Sequence, residues 1–546
     1  MLIGAIHSAA EAAIADGVFP PGNLADVELE VPPKKEFGDF ATNFAMKSAR
    51  VFRMPPRKIA EELARRLQGD WLDHVQIAGP GFLNVYLKSN VLYDHLAEIL
   101  AQGDAYGNLP PKDVPRVMVE YVSANPTGPL HVGHGRGAAA GSAIVNLFRA
   151  AGYPVSSEYY INDAGNQIDN LAASVNARYL ELLGKPFEFP ENGYHGADII
   201  DTAKRILAKD GEKYLAMEEA ERLAIFKELA LKEKLAALKE DLEAFHVTFD
   251  EWFSERTLHP DKVRDAIKVL QERGEAYEKD GAIWLKSTAH GDDKDRVIIR
   301  ENGLPTYLAA DIAYHRDKFE RGFGRLINIW GADHHGYVCR VKAAMKGLGF
   351  NPDDLEILLL QMVSLYRGGE LVKMSKRTGE SVTLAELIEE VGTDAARYFF
   401  LMRSLDSQLD FDLDLAKSQS NENPVYYIQY AHARICSIFR QAEEAGIRRS
   451  EKPQLSLLAD ESEVALIKRI ESYAEEVEKA AAECAPQRIA RFAYDIAADF
   501  HSFYNRCRII GTEPELAAAR LALVQSAAQV IRHALGILGV SAPEHM

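Results

Sequence analysis

The stretch Val117-Met118-Val119-Glu120-Tyr121-Val122-Ser123-Ala124-Asn125-Pro126-Thr127-Gly128-Pro129-Leu130-His131-Val132-Gly133-His134-Gly135-Arg136-Gly137 decides the fold. The run Val117 to Val122 is mainly apolar and β-branched, as a buried parallel strand requires. Pro126, Gly128 and Pro129 end it. Beyond Gly133 the period changes, and Ile144, Val145, Phe148 and Ala151 fall on one helical face. Two histidines, three residues apart and flanked by glycines, sit where that helix begins. A helix N-terminus presents unpaired N–H groups and a partial positive charge, so it suits an anion. Histidines placed there add two donors for a phosphate, and glycines let a ligand approach the backbone. A solvated Gly/Pro-rich turn would have the same composition, so the rest of the chain decides between the two.

Downstream, Ser156-Ser157-Glu158-Tyr159-Tyr160-Ile161-Asn162-Asp163-Ala164-Gly165-Asn166 predicts a second strand ending in polar residues. Strand, helix, strand is the unit of a doubly wound parallel sheet, whose ligands bind at the strands' carboxyl ends. A mostly helical insertion is expected over about 167–296, with Leu223, Phe226, Leu229, Leu235, Leu238 and Leu242 as its core stripe. The sheet is expected to resume at Val297–Arg300. Tyr307 to Asp311 then lead into a helix. A strand over Leu326–Trp330 ends in Gly331-Ala332-Asp333-His334-His335-Gly336-Tyr337. Another, Leu355–Val363, leads to Gly368 and then Lys373-Met374-Ser375-Lys376-Arg377. After about Leu384 the pattern is helical to the end, punctuated by Pro424, Pro453, Pro486 and Pro514. Upstream, helical patterns (Ile3–Ile14, Ala41–Arg50, Arg57–Leu67) alternate with strand-like runs (Val75–Ile77, Phe82–Leu87).

Length and composition are consistent with this. The chain has 546 residues, enough for several domains, with 47% hydrophobic and 26% charged residues. The net charge of −18 argues against a uniformly basic, non-specific nucleic-acid binder. It leaves open a nucleic-acid substrate held along one local groove. No membrane span is expected, and the N-terminus lacks the basic region of a signal peptide. Cys339, Cys436, Cys484 and Cys507 form no CxxC pair, so reduced thiols in a cytoplasmic protein are expected and a zinc site is not.

The histidine and lysine motifs together resemble a family. His131-Val132-Gly133-His134 is similar to the HIGH motif, and Lys373–Arg377 to the KMSK motif, of class I aminoacyl-tRNA synthetases. The chain resembles bacterial-type arginyl-tRNA synthetases in particular. The segments Val119–Asn125 (VEYVSAN), Tyr160–Gly165 (YINDAG), Phe249–Glu255 (FDEWFSE), Gly331–Tyr337 (GADHHGY), Asn423–Arg434 (NPVYYIQYAHAR) and Leu538–Met546 carry the likeness. It extends to Gly38-Asp39 and Ala78–Phe82 near the N-terminus. Phe37 stands where the family often has histidine, Val132 replaces isoleucine, and Asp394-Ala395-Ala396-Arg397 stands in place of DALR.

The resemblance implies an α/β protein. A Rossmann-type, doubly wound parallel sheet forms the catalytic core over 113–385, with the helical insertion within it. An N-terminal tRNA-contacting α/β domain occupies 1–112, a helical connection 386–424, and an all-helical anticodon-binding domain 425–546. The implied reaction joins L-arginine to ATP, releases pyrophosphate, then passes the arginyl group to the terminal adenosine of tRNA(Arg). No protein nucleophile is needed, so positioning and charge stabilisation should dominate.

By this resemblance His131, His134, Lys373 and Lys376 are the catalytic candidates. Gly133, Gly331, Asp333, His334, Met362, Val363 and Ser375 join His131, His134 and Lys376 in holding ATP, which implies Mg²⁺ held mostly by phosphates, without a dedicated protein metal site. Glu120, Ser123, Asn125, Tyr307 and Asp311 are expected to bind arginine, because a guanidinium is best read by carboxylates. Candidate tRNA contacts are Tyr430, Arg434, Arg440, Arg488 and Arg506, with Tyr426, Tyr427, Tyr504, Arg491 and Arg508 beside them. A monomer is expected. A class I synthetase for another amino acid and a non-charging or small-molecule adenylyltransferase relative remain as alternatives. Comparing amino acids in a charging assay separates them.

Overall fold

The computed structural model describes residues 2–30, 32, 37–372 and 381–546. The chain divides into two compact units: Asp104–Arg440 with Ser472–His501 and Ala527–Met546, and Met1–Gly103 with Gln441–Glu471 and Ser502–Ser526.

The larger unit is built on five parallel strands: β1 (Arg116–Glu120), β2 (Val155–Ile161), β3 (Glu251–Ser254), β4 (Phe323–Gly331) and β5 (Leu355–Leu360). Their spatial order is β5-β4-β1-β2-β3. The winding direction reverses between β1 and β4, so the crevice beyond their carboxyl ends is the expected ligand site. Register sharpens this. Glu120 pairs with Asn328 on one side and Glu158 on the other. Aligned residues in a parallel sheet share a face, so three polar side chains meet where the strands end.

Helix α1 (Val132–Ala150) follows β1 and is buried along most of its length. Its close approach depends on Gly141, where an added Cβ would come within 2.1 Å of the Tyr121 ring. Helix α2 (Tyr307–Glu320) carries Tyr314, His315 and Lys318 against the three polar strand ends. Arg397, fully buried, binds Ser142 of α1, the Phe245 carbonyl and the Leu538 carbonyl, each at 2.8 Å.

Several expectations are corrected. Val297–Arg300 does not resume the parallel sheet. Arg296–Ile299 instead forms an antiparallel sheet with Ala276–Lys279 and Ala282–Leu285. A four-residue apolar run fixes its own conformation but not its partner. The stretch read as mostly helical also supplies β3 to the main sheet. The expected strand to Val363 stops at Leu360, and Val363–Arg367 pairs with Leu409–Asp412, inside the region read as all helical. Helix Pro514–Leu538 is long and apolar enough to cross a membrane by length and composition. With 78% of its apolar window buried, it has the burial of a core helix.

In the second unit, helices Leu2–Ala15, Phe44–Phe52 and Pro56–Arg66 pack on an antiparallel sheet ordered Phe40–Thr42, Phe82–Leu87, Leu72–Ala78. Their core includes Ile6, Phe44, Ile59, Leu63, Leu83 and Val85. The helix expected from Ala41 begins at Phe44, because Phe40–Thr42 is a strand. Asp39 accepts from Leu87 N at 2.8 Å and Lys468 Nζ at 2.6 Å.

Candidate active site

The loop leaving β1 is strained. Val122 has φ +66° and Ser123 φ +42°, and Ser123 N donates to the Tyr121 carbonyl at 2.9 Å. This is a γ-turn centred on a β-branched residue, an uncommon conformation that the surroundings must impose. They do so through Ser123, whose Oγ donates to Glu120 Oε1 at 3.1 Å and accepts from Tyr160 N at 3.2 Å. Tyr159 Oη fixes the next residue by donating to the Ala124 carbonyl at 2.8 Å.

This loop, the end of β4 and the start of α2 enclose a cavity of about 550 Å³. The sequence candidates Glu120, Ser123, Asn125, Tyr307, Asp311, Gly331 and His334 all line it. Tyr307 lies at the rim, 62% exposed. Glu120 is buried and its Oε2 accepts from Lys318 Nζ at 2.6 Å. Asp311 accepts from the Tyr337 hydroxyl. Burial pushes the Asp311 carboxyl up to about 7, Glu120 and Glu255 add to the rise, and Tyr337 and Lys318 oppose it.

Glu255 was not singled out from sequence. It is buried, lines the cavity, and its carboxyl is raised chiefly by burial, against hydrogen bonds from His259 and Tyr160. The Asn162 amide lies between Asn125, at 3.1 Å, and Glu255, at 2.8 Å. The available signal was position: Glu255 follows directly on β3, at its carboxyl end. Glu120, Glu255 and Asp311 therefore face one cavity, suited to a ligand bearing more than one cationic group.

His131 caps α1. His131 Nδ1 accepts from His134 N at 3.2 Å, and His134 Nδ1 accepts from His131 N at 3.3 Å. The rings stack with centroids 3.6 Å apart. Burial lowers both pKa values, His134 to about 4 with His131 adding to the effect. Both rings are thus neutral at pH 7. Since each Nδ1 accepts, the proton resides on Nε2, leaving two free Nε2–H donors at a helix N-terminus. Gly133 makes room: a Cβ there would stand 3.0 Å from His131 Cε1.

The ATP candidates are spread along neighbouring elements. Gly331, Asp333 and His334 lie where β4 gives way to the turn Ala332–Tyr337, with Asp333 and His334 exposed. Asp333 makes no side-chain cap there. Met362 is 73% exposed beside Val363. Arg136, unnoticed in sequence, is buried and donates to the carbonyls of Gln361, Ser407 and Ser404 at 2.8–2.9 Å, tying α1 to the segment before Met362. Lys373, Ser375 and Lys376 lie outside the described residues. The chain beyond them returns to the histidines, with Val132 N donating to Val382 O at 3.2 Å and Leu384 N to Leu130 O at 2.7 Å. Among the described residues no group of three or more His, Cys, Asp or Glu side chains is set to hold a metal ion.

Of the tRNA candidates, Tyr430 and Arg434 adjoin. Arg434 donates to the Tyr430 hydroxyl and lies 4.7 Å from its ring, and the Tyr430 ring stacks with those of Tyr426 and His501. Arg440 reaches the Glu544 carbonyl. Arg488 is engaged by Glu476 and Glu483, and Arg506, in the other compact unit, lies near Asp460 and Glu461.

A doubly wound sheet with a histidine-capped helix and a carboxylate-lined cavity at its switch point is the arrangement expected of a class I aminoacyl-tRNA synthetase. Residues 95–403 match the family model for tRNA synthetases class I (R), catalytic domain. Residues 4–87 match the arginyl tRNA synthetase N terminal domain, and 428–546 the DALR anticodon binding domain. The chain is 54% identical to an arginine–tRNA ligase of Shouchella clausii, covering 96% of this chain and 95% of that one. It is 53% identical to that of Carboxydothermus hydrogenoformans, covering 98% and 97%. The arginyl-tRNA synthetase of Thermus thermophilus superposes with TM-score 0.78 at 25% identity, over 100% of both chains. The chain belongs to the arginyl-tRNA synthetase family.

Proposed function

We propose that this protein is an arginine–tRNA ligase: it activates L-arginine with ATP and transfers the arginyl group to the terminal adenosine of tRNA(Arg). The observation that carries the reading is the cavity faced by Glu120, Glu255 and Asp311 at the sheet's switch point. The guanidinium enters toward Asp311 and Glu255, with Tyr307 at the rim. The α-ammonium lies toward Glu120 and Asn125, on the loop that leads to the histidines, and Ser123 holds that loop. The substrate carboxylate then points at the α-phosphate of ATP.

Attack by that carboxylate releases pyrophosphate and needs no protein nucleophile. The chain contributes position and charge stabilisation. His131 and His134 donate from Nε2 to phosphate oxygens, beside the N–H groups of α1. Gly331, Asp333 and His334 lie toward the ribose, and the backbone at Met362 and Val363 toward the adenine edge. Lys373, Ser375 and Lys376 act on the leaving pyrophosphate; the warrant for them is the motif. Mg²⁺ accompanying ATP would be held chiefly by the phosphates and would supply charge neutralisation there.

The domain reading of 1–112, 113–385, 386–424 and 425–546 extends the proposal, with Tyr430, Arg434 and Arg440 contacting the anticodon region. Arg488 and Arg506 are lesser candidates, because carboxylates already engage or flank them. A cytoplasmic monomer is proposed on family grounds. The test is ATP–pyrophosphate exchange with arginine, with and without tRNA. Citrulline, a neutral isostere, should be rejected by about 10³-fold or more, because it leaves buried carboxylates unpaired. Absence of exchange under both conditions would refute the reading.

A further inference from the structure

Lys318 has no role in the steps above. It is fully buried beneath the cavity. Its Nζ donates to Glu120 Oε2 at 2.6 Å and Asn328 Oδ1 at 3.2 Å, and lies 4.2 Å from the Tyr314 ring centroid. A buried ammonium is costly, and an apolar residue would serve packing as well or better.

Its neighbours show what the charge answers. Glu158 is already matched by Arg321, at 2.6 and 3.0 Å, and by the Tyr314 hydroxyl at 2.7 Å. His315 is held neutral by burial, with Asn328 and the Asp311 carbonyl on its two nitrogens. Three carboxylates face the cavity. Glu255 has His259 at 3.3 Å, and Asp311 has the Tyr337 hydroxyl. Among the described residues, Lys318 is the one lysine or arginine paired with any of the three. Arginine brings two cationic groups, its guanidinium and its α-ammonium.

We propose that Lys318 is a positioning residue that sets the charge count of the cavity: held beneath Glu120, it offsets one of three carboxylate charges, so that the three carboxylates and the lysine together carry two negative charges against the two cations of arginine. Lys318 touches no substrate. Without it, the third carboxylate takes up a solvent proton in the empty site and loses it when arginine binds. The inference rests on the reading of this cavity as the arginine site.

The test is calorimetric arginine binding by the full chain between about pH 5.5 and 7.5, in buffers of different ionisation heat. In the unaltered protein Asp311, poised near 7, gives a slope of log affinity against pH approaching about one on the acid side. Lys318→Met should steepen that slope toward about two and weaken binding at about pH 6 by about tenfold or more. A loss of affinity with unchanged slope assigns Lys318 to packing and overturns the proposal, as does no change at all. If Lys318→Met does not fold, Glu120→Gln decides. Made together with Lys318→Met it removes the buried pair as a unit, so the slope should return to about one; a slope that stays away from one overturns the proposal. Failure of the unaltered protein to bind arginine at any pH would instead overturn the arginine reading.

Discussion

Asp311→Asn should sharply reduce arginine use and stabilise the fold. The carboxyl ordinarily ionises at 3.8, but here near 7, chiefly because it is buried. The sign is set by linkage. Between about pH 4 and 7 the folded protein keeps a proton that the unfolded chain has lost, so the group destabilises the fold increasingly as pH rises. The gap corresponds to on the order of 4 kcal/mol above pH 7. The side chain faces a cavity open to water, and screening reduces a realistic gain for asparagine to about 1–2 kcal/mol. Asparagine retains an acceptor for the Tyr337 hydroxyl, so the local hydrogen bond survives. On the proposed arginine pose the variant lacks a charge-assisted partner for the guanidinium, which should lower kcat/KM for arginine by about 10²–10⁴-fold. Thermal denaturation at pH 5 and pH 8 reads the first effect, and arginine-dependent pyrophosphate exchange the second. The melting temperature should rise more at pH 8 than at pH 5. Arginine activity within threefold of the unaltered protein would refute the pocket assignment; a lower melting temperature at pH 8 would refute the electrostatic one.

Other consequences follow from single contacts. Nitrogen-15 NMR of the histidines should find His131 and His134 neutral and Nε2-protonated at pH 7; a charged ring at that pH would contradict the capping geometry. Gly141→Ala should cost about 3 kcal/mol or more in chemical denaturation, since its Cβ overlaps Tyr121, and a loss under about 1 kcal/mol would show that α1 can lift off β1. Arg136→Met strands three part-buried carbonyls. It should destabilise by about 3 kcal/mol or more and raise the KM for ATP, and an unchanged KM would separate Arg136 from the adenine edge. Tyr430→Ala should raise the KM for tRNA without moving that for arginine in pyrophosphate exchange, whereas an equal effect on both would place it outside tRNA binding.

The sequence by itself determined the strand-loop-helix unit at Val117–Gly137, because a change of apolar period with glycines and histidines at the junction is local information. It also marked Glu120, Ser123, Asn125, Tyr307 and Asp311, which converge on one cavity. Tertiary structure alone decided which strands pair. Val297–Ile299 looks like a sheet strand in any context, yet it joins the small antiparallel sheet, while Glu251–Ser254, short and mixed, completes the parallel one. Partner choice depends on contacts far apart in the chain, which no local window contains. The same limit hid Lys318, Arg136 and Glu255. A lysine or arginine in a helical pattern reads as a solvated face, and only packing shows that Lys318 lies under Glu120 and that Arg136 holds three carbonyls. The neutrality of the two histidines and the raised carboxyl of Asp311 also come from folding, since burial is a property of the assembled site and not of the residues that line it.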